Sequence, residues 1–460
     1  MLALLLLVGC QAKVLSSRAV PGDEGRLVIY LQGLPQGAER LRFSLEGVDA
    51  LRIDGAVFPL ELRFAELDGR VRGRQRLLTA ANLPPGAYRG LQFAVGKASV
   101  RTEDGEAALV TPDAPVAVDA PFTITARGAT LLEAAYQHTG SIQQKFMFNP
   151  VFSAYLPPPP VSNRVGYVTS GGERQVTVFD RKTLEVAGLV GVGPRPAGLA
   201  LDETMMRAYV AVSGEDAVDA LDMVSGEILG RILLQTGDRP EELALTPDGR
   251  VLLAVNAGSN TVSVIDPQSY VELNRVAVGE KPLYVVLDRQ GRHAYVFNQR
   301  SDSISVIDPE RGEVVATIGT EAGPIRGAFN RAGDRLYVIH RDSPYLFSYD
   351  TSSLLSTGRV FVGMEAAAIL VDSATDLIYL GRHHVPRVDI YDPFSLLPVD
   401  FLEVPGGVVD MVIDDEENRL LLAVPEKELV VSVDLIGKGV EGIFDVGTGA
   451  HSVDLMRARR

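Results

Sequence analysis

The chain has 460 residues, a net charge of −15 and one cysteine. That acidity excludes a protein that tracks nucleic-acid phosphates over its surface, and a single thiol excludes an intrachain disulfide, a cysteine-rich zinc site, a CxxCH haem attachment and a CxxC redox pair. Hydrophobic residues at 46% and charged residues at 22% exclude wholesale disorder and a multi-span membrane protein.

The chain opens on MLALLLLVGCQAK, an apolar run too short to span a bilayer. It closes on Leu7-Val8-Gly9-Cys10, which resembles a bacterial lipobox. The resemblance implies cleavage before Cys10, lipidation of its thiol, and a mature protein held at the membrane by acyl chains over residues 1–10. Gln11 follows the cysteine, and such lipoproteins without an aspartate there are expected at the outer membrane. Residues 11–24 are small and polar and suit a tether.

From residue 25 to 156 the text reads as strands and turns. AERLRFSLEGVDALRI alternates, with Leu41, Phe43 and Leu45 on one face. Pro84-Pro85-Gly86 marks a turn before a strand carrying Tyr88, Leu91, Phe93 and Val95. The expectation is a small antiparallel β-sandwich. Residues 83–100 and the closing FNPVFSAYL resemble an N-terminal β-sandwich domain of unknown function found on bacterial lipoproteins, which implies nothing catalytic. Four prolines follow within a linker over 157–163, and a polyproline II spacer there would hold the next domain away from the first.

The remainder repeats itself. A strand of the type YVFN recurs at Tyr167, Tyr209, Leu253, Tyr295, Tyr337, Tyr379 and Leu422, and a second strand ends in Asp180, Asp222, Asp266, Asp308, Asp350, Asp392 and Asp434. The spacing stays near 42 residues, with several short strands per copy, which predicts an all-β, seven-bladed β-propeller over 164–458. Each aspartate is expected to hold the turn that follows it. The first copy lacks the inner strand that precedes the others, and a matching strand stands at His451–Leu455. The C-terminal strand is therefore expected to complete the first blade and close the ring. GEKP, YVFN and SDSISVID resemble the YVTN-repeat β-propeller family of bacterial surface and periplasmic proteins. The resemblance implies the fold and leaves activity open, because the scaffold hosts binders and enzymes alike.

Two kinds of loop should meet at one rim of such a ring. The inner loops place bases beside proline at Arg195, Arg239 and Lys281, with Arg326 two residues after Pro324; the outer loops carry Arg300, Arg341 and Arg382. A basic rim on an acidic chain would draw an anionic ligand, although each base could instead pair with a neighbour such as Glu241 or Asp238. His340, His384 and His451 are expected near the same rim, beside His383, without the spacing of a metal motif. DDEEN at 414–418 is expected to be a solvated hairpin on the opposite rim. No nucleophile elbow or phosphate loop appears. The reading is a non-enzymatic, lipid-anchored binding or scaffold protein of the cell envelope, monomeric, without cofactor or nucleic-acid partner, taking a protein or small anionic ligand at one rim. The rival reading is an extracytoplasmic propeller enzyme, lactonase- or quinoprotein-like.

Overall fold

The structure, a computed structural model, describes residues 24–70, 74–103, 105–158 and 164–456. Cys10, nearly all of the tether and linker residues 159–163 lie outside the described residues.

Two large sheets and a two-stranded one, Ile142–Gln143 with Met147–Phe148, form the N-terminal domain. One of the large sheets has the order Val151–Tyr155, Ala129–Gln137, Gly25–Leu31, Arg76–Leu83. The other is six-stranded and built around the long strands Leu41–Arg52 and Gly86–Thr102. They share one apolar core, in which Leu27, Ile29 and Leu31 meet Phe43, Tyr88 and Phe93. The expected purely antiparallel pairing is corrected at the centre of the first sheet, where Gly25–Leu31 runs parallel to Ala129–Gln137. The long connection between these strands lets the chain re-enter in the same direction.

After the linker come seven four-stranded antiparallel sheets among the described residues. Their innermost strands, Pro196–Asp202, Pro240–Leu245, Pro282–Leu287, Pro324–Phe329, Ala366–Val371, Asp410–Asp414 and Ala450–Leu455, contact one another in a closed cycle. We number the sheets from the one containing Val165–Ser170. The ring closes as the repeat pattern requires: Ala450–Leu455 pairs with Val165–Ser170, with Val453 opposite Val168.

Apolar faces on both sides of each sheet explain the ring. Leu253, Val255 and Val264 of the third sheet pack on Val285, Val296 and Ile307 of the fourth. One sheet alone would leave such residues wet, at a cost of roughly 1.5–3 kcal/mol per large side chain. The recurrent aspartates hold their turns. Asp222 Oδ1 accepts the N–H groups of Val224 and Ser225 at 2.8 and 2.7 Å, and Asp392 does the same for Phe394 and Ser395.

The proline linker does not keep the two parts separate. Gly25–Leu31 is buried on both faces: Val28 and Tyr30 point away from the sandwich core and pack, with Leu77 and Leu131, on Phe179, Val186, Phe444 and Val453 of the ring. The Tyr30 hydroxyl donates to the Asp445 carbonyl at 2.6 Å, and the Leu77 N–H donates to the Asp445 carboxylate at 2.8 Å. Gln75 accepts from the Val186 N–H at 2.8 Å. The expected stand-off arrangement is therefore corrected to direct docking over the first and seventh sheets. A polyproline segment sets local stiffness, and the strand's second apolar face decides where it ends up.

Candidate binding site at the channel mouth

The inner strands begin in a common way. The residue before the strand takes a left-handed backbone in six of the seven cases: Arg195, Arg239, Lys281, Gly323, Glu365 and Gly449. The N–H groups of Arg239, Lys281 and Gly323 are held at 2.8 Å by Asp216, Asn260 and Asp302. A bulge follows in the pairing of these strands, between Pro240 and Glu242, Pro282 and Tyr284, and Pro324 and Arg326. Such a bulge breaks strict alternation and re-aims side chains. As a result two successive residues per strand line one cavity: Glu241 with Glu242, Leu283 with Tyr284, and Ile325 with Arg326.

That cavity is the channel mouth, about 730 Å³. Inner-strand residues, His451 among them, form its floor, and second-loop residues such as Gln299, Arg341, Asp342, His383 and His384 form its wall. Both kinds of loop do meet at one rim. Below the mouth, Arg326 is mostly buried and forms an ion pair with Asp410 at 2.5 Å. Asp410 also accepts the backbone N–H of Val453 on the closing strand at 2.9 Å. The small side chains Ala366, Ala367 and Ala368 occupy the intervening inner strand, which leaves Arg326 room to reach across. The guanidinium lies 4.7 Å from the Tyr284 ring centroid, a cation–π contact.

Burial pushes the Glu242 carboxyl up to about 8, with Arg326 opposing and Asp410 and Asp454 reinforcing the shift. Burial, helped by Arg326, pulls His451 down to about 4. Glu242 also has a steric partner: a Cβ on Gly198 would sit 2.4 Å from its Oε1 and 2.6 Å from its Cα. Only glycine at 198 leaves Glu242 its place.

The sequence-selected residues separate into three groups. Arg326, His384 and His451 line the mouth. Arg195, Arg239 and Lys281 stand outside the cavity lining, around Glu241: burial pushes its carboxyl up and the three bases oppose that shift in part; Arg195 is 3.9 Å from it and 61% exposed. Arg382 and His340 do not line the mouth. Arg382 pairs with Asp389 of its own sheet at 2.7 Å. His340 is fully buried against Phe347, held down at about 4 by burial. His384 is exposed and pairs with Glu426. Among the described residues no three His, Cys, Asp or Glu side chains gather to hold a metal ion. The hairpin at 414–418 is solvated only in part. Asp414 is 1% exposed and pairs with buried Arg181, which also donates to the Met456 carbonyl at 2.6 Å.

Sequence reasoning missed Glu241, Glu242, Tyr284 and Asp410 as a set. For the first three, the signal was present as the first and second positions after the recurrent proline, but a period of two assigns those neighbours to opposite faces.

The fold defines the class: this is a β-propeller. Residues 249–392 match the YNCE-like beta-propeller family. No curated protein matches the sequence significantly. Among solved structures, the chain is similar to a functionally unknown protein from Desulfotomaculum acetoxidans (12% identity, TM-score 0.57, 64% of this chain and 100% of that one). It is also similar to a putative 6-phosphogluconolactonase from Bacteroides uniformis (17%, 0.53, 64% and 99%). A third likeness is to the dihydro-heme d1 dehydrogenase NirN (12%, 0.51, 65% and 78%). At these identities the likeness is one of fold.

Proposed function

We propose that the chain is a binding protein of the bacterial cell envelope, anchored through Cys10, whose channel mouth takes a small anionic ligand rich in hydrogen-bonding groups. The observation that carries this reading is the bulged start of the inner strands, which turns paired side chains onto one cavity of ligand size. Arg195, Arg239 and Lys281 supply the charge for an anionic group. Glu241, Tyr284 and Arg326 supply acceptors and donors for the rest of the molecule. The test is a thermal-shift and calorimetric screen with small carboxylates, sugar acids and phosphate esters. At least one should raise the melting temperature, and the triple variant Arg195→Gln, Arg239→Gln, Lys281→Gln should weaken it by about tenfold or more. A wild-type protein indifferent to the whole panel, or a triple variant that binds equally well, would overturn the reading.

A second reading has its own observation. Glu242, protonated near neutral pH, and His451, neutral there, face one channel with Arg326, and opposed shifts of this kind mark acid–base sites. Under that reading the protein is an extracytoplasmic enzyme with Glu242 as proton donor. Turnover lost in Glu242→Gln, with binding retained, would favour it over plain binding.

A further inference from the structure

A second cavity, about 950 Å³, lies far from the channel mouth, between the N-terminal domain and the outer parts of the first and second sheets. Its walls are mostly apolar. On the domain side Ala87 and Pro121 face it, with the buried stack of Tyr88 on Phe122, 5.0 Å apart and nearly parallel, behind them, and Leu189 faces it from the ring. Exposed Ile53, Leu156 and Val224 stand around it, 54–69% accessible. Pockets at domain junctions with apolar walls and a few polar groups are a common form of small-molecule site.

Tyr167 supplies the polar group. It is 3% exposed, it lines this cavity, and its hydroxyl has no hydrogen-bond partner among the described residues. Among the tyrosines at this strand position, Tyr167 is the one whose hydroxyl is both fully buried and unpartnered; Tyr295 and Tyr379 also lack the bond that Tyr209 and Tyr337 make. Tyr209 and Tyr337 occupy the same strand position in other sheets, and each donates at 3.1 Å to a carbonyl one sheet on, Pro267 and Pro393. Those prolines directly follow Asp266 and Asp392. The corresponding residue for Tyr167 is Met223, after Asp222, and that bond is not made. A buried donor without a partner costs free energy that a ligand acceptor would recover. Asp119 and Asp222 outnumber Arg89 among the charged residues that line the cavity, a net negative balance that disfavours an anionic head.

We infer that this interdomain cleft binds an uncharged amphiphile, its apolar chain lying over Ile53, Leu156 and Leu189 and its carbonyl oxygen accepting the Tyr167 O–H. Gly188 helps to leave the space. An added Cβ there would meet only Val178, at 3.5 Å, so a larger side chain is tolerated by the backbone and stands in a wall of the cavity.

The experiment uses the full chain with monododecanoylglycerol, N-phenyl-1-naphthylamine as a fluorescent competitor, and dodecanoate as the charged control. The dye should bind saturably at one site per chain, and the glycerol ester should displace it better than dodecanoate. Gly188→Phe should weaken both by about tenfold or more, and Tyr167→Phe should weaken the ester by about fivefold while sparing the dye. The chain has no tryptophan, so Val224→Trp, at an exposed position, reports from the cleft alone. Its emission should move to shorter wavelength with the ester. Absence of saturable binding, equal affinity in Gly188→Phe, or an unmoved Val224→Trp emission would overturn the inference. The tryptophan measurement decides the matter even where Gly188→Phe fails to fold.

Discussion

The junction between the third and fourth sheets and the junction between the seventh and first use the same strand geometry but different chemistry. At the regular junctions the polar contacts stay within a sheet or reach only the next copy, as when Asn260 accepts the Lys281 N–H at 2.8 Å. Asn256 donates to Ser263 at 2.8 Å and Asn298 to Ser305 at 2.9 Å, each within its own sheet. At the seam the partners come from distant parts of the chain. Glu173, 3% exposed in its side chain, takes Arg26 and Arg63 from the N-terminal domain and the N–H and hydroxyl of Thr448 from the loop that leads into the closing strand. Asp445, Asp414 and Arg181 extend the same pattern. A repeat stabilises itself wherever its neighbour is another copy of the same text. Where the ring must join its own ends, contacts coded outside the repeat take over.

The largest expected effect tests that difference directly. Ending the chain at Thr448 removes Ala450–Leu455 and leaves Val165–Ser170 without its inner partner. The truncated protein should lose its cooperative thermal transition, followed by circular dichroism. A chain that melted at the wild-type temperature would break the comparison at its root.

Glu173→Ala should be next, destabilising by about 3 kcal/mol in urea unfolding, because it strands the partly buried guanidinium of Arg26 and leaves Arg63 with Glu428 alone. Asn298→Ala, at a regular position, should cost only about 1 kcal/mol, since it removes one neutral donor. Equal costs would mean that the seam is no more demanding than any other junction. The Glu173 effect should also shrink in an Arg26→Ala, Arg63→Ala background, as interacting partners are not additive.

How much of this was legible in the sequence follows from the range of the interactions. The Tyr and Asp markers report contacts inside one copy or with the next, so the sheets, the aspartate turns and the closing strand could be read directly. Glu173 and Asp445 carry no such mark. Their partners lie far away in sequence, and nothing periodic announces a carboxylate that will meet Arg63 or Leu77. Likewise Val28 and Tyr30 stand on the face of their strand turned away from the sandwich core, and only docking makes them part of a second core. At the channel mouth the bases before proline were visible, but the bulge that turns Glu242 and Arg326 inward was not, because bulges interrupt the alternation on which the reading rests. His340 and Arg382 were drawn to the rim by loop position alone. His340 instead ends its strand where Asn256 and Asn298 end theirs, and all three are fully buried.

The smallest effect is expected where the two regions meet, in the channel, where Arg326 of a regular sheet touches Asp410 and, through it, Val453 at the seam. Glu242 ionises at about 8 in the folded protein and near 4.3 in an unfolded chain. The fold therefore holds its proton more tightly, and this contribution to stability falls as pH rises from about 4.3 to about 8. His451 and His340 act oppositely. Both titrate at about 4 when folded and near 6.5 when unfolded, so their contribution rises with pH over that lower interval. Above about 6.5 the histidine contributions are level and Glu242 acts alone. The melting temperature of the wild type minus that of Glu242→Gln should fall between about pH 6.5 and about pH 8 by a small, measurable amount. Arg326→Met should move this fall to higher pH, because the guanidinium is what restrains the upward shift. A difference curve that stayed flat in both proteins would mean that water reaches Glu242, and that the channel side of the seam is no drier than the open rim.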